Sequence, residues 1–143
     1  GASFENISFT YNSEGIFYPT ITVTDDQGNT YSDTLAITVL SKAEIDTLLK
    51  GKWEGMRQAM INKDVSKAAS YFAEWAKERY SGIFTALGDR LPQVAQDMQN
   101  IRMIYLRDSV AKYRIRRIEA AGEITYYIYF VRDENGLWKI QQF

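Results

Sequence analysis

After Ser41 the apolar residues of this chain change their spacing once, near Asn100. From Ser41 to Asn100 they recur three and four residues apart, which is the period of an amphipathic helix. After Asn100 they alternate with polar residues, which is the period of a half-buried strand. A block of helices followed by a block of strands predicts an α+β domain in which helices pack on an antiparallel sheet.

Local signals divide this region into elements. Ser41 and Glu44 form a capping box that predicts a helix over about 42–61. Asp64 is the expected N-cap of the helical stripe that follows, which we expect to bend at Ser81–Gly82. The predicted strands cover 101–107, 110–119, 124–132 and 137–143.

The first forty residues have the period of strands. Apolar and polar residues alternate over 17–24 and over 30–40, on either side of a strong turn signal at Asp25–Asn29. A shorter β-prone run covers 7–11. This pattern predicts three strands, of which the second and third form an antiparallel hairpin.

The charge is also distributed unevenly. Residues 1–40 contain five acids and no Lys or Arg, so their net charge is −5. Residues 41–143 contain thirteen acids and seventeen bases, so their net charge is +4. The sequence therefore predicts two units, a β segment over 1–40 and an α+β domain over 41–143.

Asp25, Asp26 and Asn29 allow two interpretations, a calcium site or turn chemistry. The EF-hand pattern fails because Ala36 stands where its last acidic ligand belongs. We therefore expect these residues to build the turn, and we predict no metal site.

The run from Gly15 to Asp25, then Gly28-Asn29-Thr30 and a strand ending at Ile37-Thr38-Val39, resembles the C-terminal half of a PKD-type, immunoglobulin-like domain. Phe17 stands where that family usually has Tyr, and Pro19 replaces a usual β-branched residue. Such a sandwich has about seven strands, so the resemblance implies a partial, Ig-like segment that packs on another surface or pairs with a second copy. Because PKD-type repeats are usually extracellular, it also implies a secreted or cell-surface bacterial protein.

Four stretches after Ser41 carry a second resemblance. They are the helix with Trp53, Met56 and Met60, the Asn62-Lys63-Asp64 step, the run from Ala68 to Phe72, and the ending from Tyr129 to Ile140 with its D-x-x-G turn. Together they are similar to the NTF2-like (cystatin-like, SnoaL-like) superfamily. The resemblance implies a cone, in which helices pack on a curved antiparallel sheet of about four strands with a pocket at the open end. That superfamily includes enzymes, transport factors and inert accessory domains, so it indicates a fold rather than a function.

The resemblance further implies which residues line the pocket. They are Tyr71, Trp75, Tyr80, Phe84, Met103, Tyr105, Tyr113, Tyr127 and Tyr129. One interpretation is an aromatic pocket for a small apolar or ring-shaped ligand that Tyr hydroxyls orient. The other is a filled core whose hydroxyls reach the rim.

The sequence has no histidine and no cysteine. This excludes Ser–His and Cys–His nucleophile pairs and disulfides within the chain. Acid–base chemistry in the pocket would fall to Asp97 or Asp108, with Tyr105 or Tyr113 as donors. We expect both acids to be solvated, one late in a short helix and the other in a turn, and we assign no catalytic residue and no cofactor.

The strand region is rich in bases, and one strand separates them onto a single face. Lys112, Arg114 and Arg116 alternate with Ala111, Tyr113 and Ile115. The overall charge of −1 argues against a nucleic-acid partner. This face is then a solvated outer surface or a docking surface for the acidic first unit or a neighbouring module. No stretch approaches the roughly 18 apolar residues of a membrane span.

Three functions follow from these patterns. The leading hypothesis is a non-catalytic ligand- or partner-binding module of a secreted or surface bacterial protein. The second is a small-molecule enzyme of the isomerase or hydrolase type that uses an Asp/Tyr pair in the pocket. The third is an oligomerising structural domain, a homodimer through the sheet face or the N-terminal strands.

Overall fold

The computed structural model describes residues 9–13, 15–98, 100–120 and 122–143. It is a mixed α+β structure with helices and antiparallel sheets, as the change of period predicts. The chain divides into two compact units between Glu44 and Ile45, four residues beyond the boundary predicted from the sequence.

The described residues of the first unit form four short strands in two antiparallel pairs. They are β1 (Gly15–Phe17), β2 (Thr20–Thr24), β3 (Thr30–Thr34) and β4 (Ile37–Val39), with β1 paired to β4 and β2 paired to β3. The predicted strands over 17–24 and 30–40 are therefore each broken once. The break at Pro19 follows from proline chemistry, since proline has no N–H to give to a ladder. The prediction at 7–11 begins outside the described residues, and its described part is not in a strand.

The turn between β2 and β3 uses the carboxylate of Asp25. Its Oδ1 accepts hydrogen bonds from the backbone N–H groups of Gln27 and Asn29, at 2.9 and 2.8 Å. Its Oδ2 accepts a third from the Asn29 side-chain amide at 2.9 Å. These hydrogen bonds hold the pKa of Asp25 below its usual range, and the bond from the Asn29 side chain has the largest effect. Asp25 thus has the role expected of a turn residue.

The β2–β3 hairpin has two chemically different faces. On one face the hydroxyls of Thr20 and Thr34 are 3.0 Å apart, and a second hydroxyl pair continues the ladder. On the other face lie Ile21, Val23 and Tyr31, which are 54, 58 and 62% exposed, with Asp33 opposite Ile21. The apolar face of this hairpin is therefore uncovered in the part of the chain that the structure describes.

The long helix α1 (Lys42–Ile61) begins and ends where the sequence predicts. Its capping box is formed, because the Ser41 backbone N–H donates to Glu44 Oε2 at 2.8 Å and the Glu44 N–H donates to Ser41 Oγ at 3.2 Å. The next helix, α2 (Val65–Ser70), is capped by Asp64, whose Oδ1 accepts from the Lys67 N–H at 2.9 Å. Both N-cap predictions are confirmed.

The helical stripe after Asp64 breaks at a different place from the predicted one. Two helices follow α2, namely α3 (Glu74–Leu87) and α4 (Leu91–Asp97), and Ser81–Gly82 lie inside α3 without a break. The break is at 71–73, where the Ala73 N–H donates to the Ile140 carbonyl at 2.8 Å and the Ile140 N–H donates to the Tyr71 carbonyl at 2.9 Å. Hydrogen bonds to a distant strand replace those of the helix at this point.

The second half of this unit is a four-stranded antiparallel meander. Its strands are β5 (Arg102–Arg107), β6 (Val110–Glu119), β7 (Gly122–Arg132) and β8 (Trp138–Gln142), in the order β5-β6-β7-β8. Each predicted strand is present, with ends that differ by up to two residues. β7 begins at Gly122, two residues before the predicted start at 124, and Ala121 lies outside the described residues.

The helices cover one face of this sheet, which we call the inner face. On β6 the residues Ala111, Tyr113 and Ile115 are 0, 0 and 8% exposed, whereas the residues between them reach solvent. The inner residues pack against the apolar stripe of α1 and against α2 to α4. The largest fully buried members of this core include Trp53, Met56, Met60, Phe72, Phe84, Tyr113, Ile128 and Phe130.

Candidate functional site

The nine residues predicted to line a pocket do not line one together. Three of them, Tyr80, Phe84 and Tyr113, are buried in the core, and Tyr71 and Met103 pack against it. Trp75 lies in the first turn of α3 and is 67% exposed. The other three, Tyr105, Tyr127 and Tyr129, lie on the opposite, outer face of the sheet. The five residues in or against the core therefore fill it, as in the second of the two interpretations, and do not line an open pocket.

The register of the sheet explains why the tyrosines separate. Tyr113 of β6 is directly opposite Ile128 of β7, so these two share the inner face. Since neighbouring residues of a strand point to opposite faces, Tyr127 and Tyr129 point outward. A β-bulge between Met103 and Tyr105 turns Tyr105 outward as well, opposite Lys112.

A cleft does lie on the inner face, between α1, α4 and the β6–β7 hairpin. Its volume is about 200 Å³. It is lined by Trp53, Val94, Asp97, Met98, Ile115, Arg117, Tyr126, Ile128 and Phe143. The floor, formed by Trp53, Ile115 and Ile128, is apolar and almost completely buried. The rim contains two charged side chains, those of Asp97 and Arg117.

Aromatic contacts hold the floor and one wall of the cleft. The ring of Phe143 meets the ring of Trp53 edge to face, with centroids 5.2 Å apart. The Phe143 backbone is fixed by Tyr80, whose hydroxyl accepts from the Phe143 N–H at 2.9 Å and donates to its carbonyl at 3.1 Å. The two rings also stack, with centroids 5.2 Å apart. Tyr80 therefore acts on the cleft indirectly, by positioning Phe143.

The charged rim consists of Asp97 and Arg117. Asp97 is the last residue of α4, and its Oδ1 accepts a hydrogen bond from Gln93 Nε2 at 2.9 Å. Of the two acids considered from the sequence, Asp97 is in the cleft, whereas Asp108 lies exposed in the β5–β6 turn with a left-handed φ of 47°. Sequence reasoning missed Arg117 and Tyr126. The signal for Arg117 was its spacing, since it continues the inner-face series of Tyr113 and Ile115.

An Asp–Tyr pair exists, but it is a different one from those considered. The Tyr113 hydroxyl donates to Asp46 Oδ1 at 2.9 Å, and Lys50 Nζ lies 2.6 Å from Asp46 Oδ2. Burial raises the pKa of Tyr113 well above its usual value, and the hydrogen bond to Asp46 raises it further. The phenol therefore stays protonated and fastens β6 to α1. Neither Tyr113 nor Asp46 lines the cleft.

Lys52 of α1, which does not line the cleft, has a lowered pKa. Burial lowers the pKa of this lysine, and repulsion from Lys139 lowers it further. Lys139 itself donates to the Ser70 carbonyl at 3.0 Å.

Within the described ranges no group of three acidic side chains is placed to hold a metal ion. In the same part of the chain no helix combines the length and the apolar character that crossing a membrane requires.

Searches of protein-family models, of curated proteins and of solved structures find no match to this chain.

Proposed function

We propose that the second unit is a non-catalytic binding module for a small, largely apolar, ring-shaped ligand. The observation that carries this proposal is the cleft at Trp53, which combines a buried apolar floor with an open, charged rim. Apolar pockets with a few polar groups that fix orientation are typical of small-molecule sites. A volume of about 200 Å³ suits a ligand of one or two rings.

The rim defines the polar part of this ligand. Asp97 supplies a carboxylate, which accepts hydrogen bonds, and Arg117 supplies a guanidinium, which donates them. Tyr126, which also lines the cleft, adds a ring that a planar ligand can stack on. A ring carrying an acidic or amide group would satisfy both the floor and the rim.

We further propose that this module belongs to the NTF2-like superfamily and follows a partial PKD-type segment in a secreted or surface bacterial protein. The order of helices and then an antiparallel meander supports the first part. The exposed apolar face of the β2–β3 hairpin supports the second, since half of a sandwich leaves such a face uncovered. A gene that lacked any export signal upstream of residue 1 would contradict the proposed location.

Binding to the cleft is tested with indole, benzoate and anilinonaphthalene sulfonate as probes. We expect at least one probe to bind the full chain, and we expect Val94→Phe to abolish that binding because the larger side chain fills the cleft. The matched control is Ile83→Phe, which enlarges an exposed side chain of α3 that does not line the cleft. Equal binding by the wild type and Val94→Phe, measured by calorimetry, would refute the proposal.

A catalytic alternative rests on one observation, that Asp97 and Tyr126 share the cleft. A carboxylate and a phenol are sufficient for proton transfer in an isomerase- or hydrolase-type reaction. The test is turnover of a substrate found by screening. An Asp97→Asn variant that turns over as fast as the wild type would remove this residue from any mechanism, and Asp108→Asn serves as the control.

A structural alternative rests on the exposed face of Ile21, Val23 and Tyr31. Apolar faces of this kind are often covered by a second copy of the chain. Light scattering over a dilution series tests this. A monomer at every concentration would count against a homodimer.

A further inference from the structure

The outer face of the sheet carries a cluster of bases on its first two strands. We call it the basic face and define it as Arg102 and Arg107 of β5 with Lys112, Arg114 and Arg116 of β6. These residues point away from the helices, because on β6 they alternate with buried Ala111, Tyr113 and Ile115 and the β5 members are paired to outward positions.

The register brings like charges directly opposite each other. Arg102 and Arg114 are cross-strand partners, so their Cα atoms are about 5 Å apart. Like charges in this position destabilise a sheet. Among the described residues, the one ion pair of this face joins Arg116 Nε to Glu123 Oε1 at 3.1 Å. The opposed arginines thus make the sheet less stable at this position, and residues that lower stability in this way are often functional.

The tyrosines of the outer face support the cations. Lys112 Nζ lies 4.1 Å from the ring centroid of Tyr127 and 5.2 Å from that of Tyr129, and the Arg107 guanidinium carbon lies 5.5 Å from that of Tyr105. A hydrogen bond with Tyr129 also raises the pKa of Lys112. Cations over ring faces are held in place by the ring quadrupole.

This arrangement favours one kind of anionic partner over another. Single-stranded nucleic acid binds on aromatic rings that are open to base stacking. Here Lys112 already lies over two of the rings. What the basic face presents is therefore an array of fixed positive charges rather than a stacking surface.

The spacing of these charges matches an extended polypeptide. Lys112, Arg114 and Arg116 are alternate residues of one strand, so they repeat about every 7 Å. Alternate side chains of any extended peptide have the same spacing. A peptide with an acid at every second position can therefore place one carboxylate at each base in turn.

We propose that the basic face is a docking surface for an extended, acidic segment of a partner protein. One carboxylate of the segment lies between Arg102 and Arg114 and offsets their repulsion. The next lies beside Lys112, whose position the tyrosines fix. A guanidinium binds a carboxylate through two parallel hydrogen bonds, so two adjacent arginines form the centre of the interaction.

The test uses the full chain and a fluorescent peptide of alternating glutamate and threonine, with binding measured by anisotropy. We expect binding that weakens with salt. Changing Arg102 and Arg114 together to glutamine should weaken it by about tenfold or more, since charge-assisted hydrogen bonds are lost. The control is Arg90→Gln, which removes an exposed positive charge far along the chain from β5 and β6 and should change the affinity less than about twofold.

A second measurement separates binding from structure. Because Arg102 and Arg114 repel each other, the double variant should unfold at the same temperature as the wild type or at a higher one. Weaker peptide binding with unchanged or raised thermal stability supports the proposal. Undiminished binding by the double variant, or no binding by the wild type, would overturn it. Tighter binding of oligothymidylate or of an oligouronate than of the peptide would also overturn it, because the partner would then be a nucleic acid or a polysaccharide.

Discussion

Two glycines one turn apart in α1 should respond to the same substitution in opposite directions. Gly51 and Gly55 both lie inside the helix, where glycine is less favourable than alanine by about 1 kcal/mol. A Cβ added at Gly51 meets no atom within 4 Å, so Gly51→Ala should keep most of that gain. A Cβ added at Gly55 would collide with the Tyr71 hydroxyl oxygen and would lie 2.7 Å from Cζ and 3.1 Å from Cε1 of the ring.

The contact with Tyr71 decides whether Gly55→Ala raises or lowers the free energy of unfolding. Carbon atoms pack best about 3.5–4.0 Å apart, so the Tyr71 ring would have to move by about 1 Å. Its backbone cannot follow freely, since the Tyr71 carbonyl accepts a hydrogen bond from Ile140. Overpacking of this kind costs about 1–3 kcal/mol, which exceeds the gain in helix propensity. We expect Gly55→Ala to be destabilised by about 1 kcal/mol and the two variants to differ by roughly 2 kcal/mol.

Urea denaturation followed by tryptophan fluorescence measures this difference. All three tryptophans lie beyond residue 44, so the signal reports the second unit. We expect the midpoints to move in opposite directions with the slope unchanged. Adding Tyr71→Ala should remove the penalty of Gly55→Ala, as a double-mutant cycle would show. Equal stabilisation by the two alanine variants would refute the reasoning.

Two further predictions concern the hydrogen bonds that fix α1 and α2. Tyr113→Phe removes the bond to Asp46 and should lower the free energy of unfolding by about 1 kcal/mol near neutral pH. The pKa of Tyr113 is higher in the folded state than in the unfolded state, so this stabilisation is complete below the unfolded pKa of about 10 and is lost as the pH rises further. The denaturation curves of the wild type and Tyr113→Phe should therefore converge in strong alkali. A difference that stayed constant with pH would contradict this. Asp64→Ala removes the N-cap of α2 and should cost about 1 kcal/mol by the same assay, whereas Asp64→Asn, which keeps an accepting oxygen, should cost much less.

The parts of the fold that depend on local chemistry could be predicted from the sequence. The ends of α1 follow from its capping box and apolar stripe, and the strands follow from their alternation. The break at 71–73 could not be predicted, because its cause is a pair of hydrogen bonds to Ile140, far along the chain. At Ser81–Gly82, by contrast, α3 continues without a break.

The candidate site was harder to predict than the fold for a related reason. Along β7 the run from Tyr126 to Phe130 is apolar or aromatic at every position, so its own pattern does not show which residues face the helices. Only the pairing with β6 decides this, by placing Ile128 opposite Tyr113. None of the aromatic residues singled out from the sequence lines the cleft, because the register assigns Tyr126 to it and Tyr127 and Tyr129 to the outer face.

β6 connects the two surfaces that we propose to bind ligands. Its inner residues run from the core at Tyr113 to the cleft at Ile115 and Arg117, and its outer residues form the centre of the basic face. Because the side chains alternate, each surface can be changed without altering the other. A substitution at Arg114 changes charge on a face that contributes no core packing, whereas one at Ile115 changes both the core and the cleft floor. We therefore expect the proposed acidic partner and the proposed ring-shaped ligand to bind at the same time, on opposite sides of one sheet.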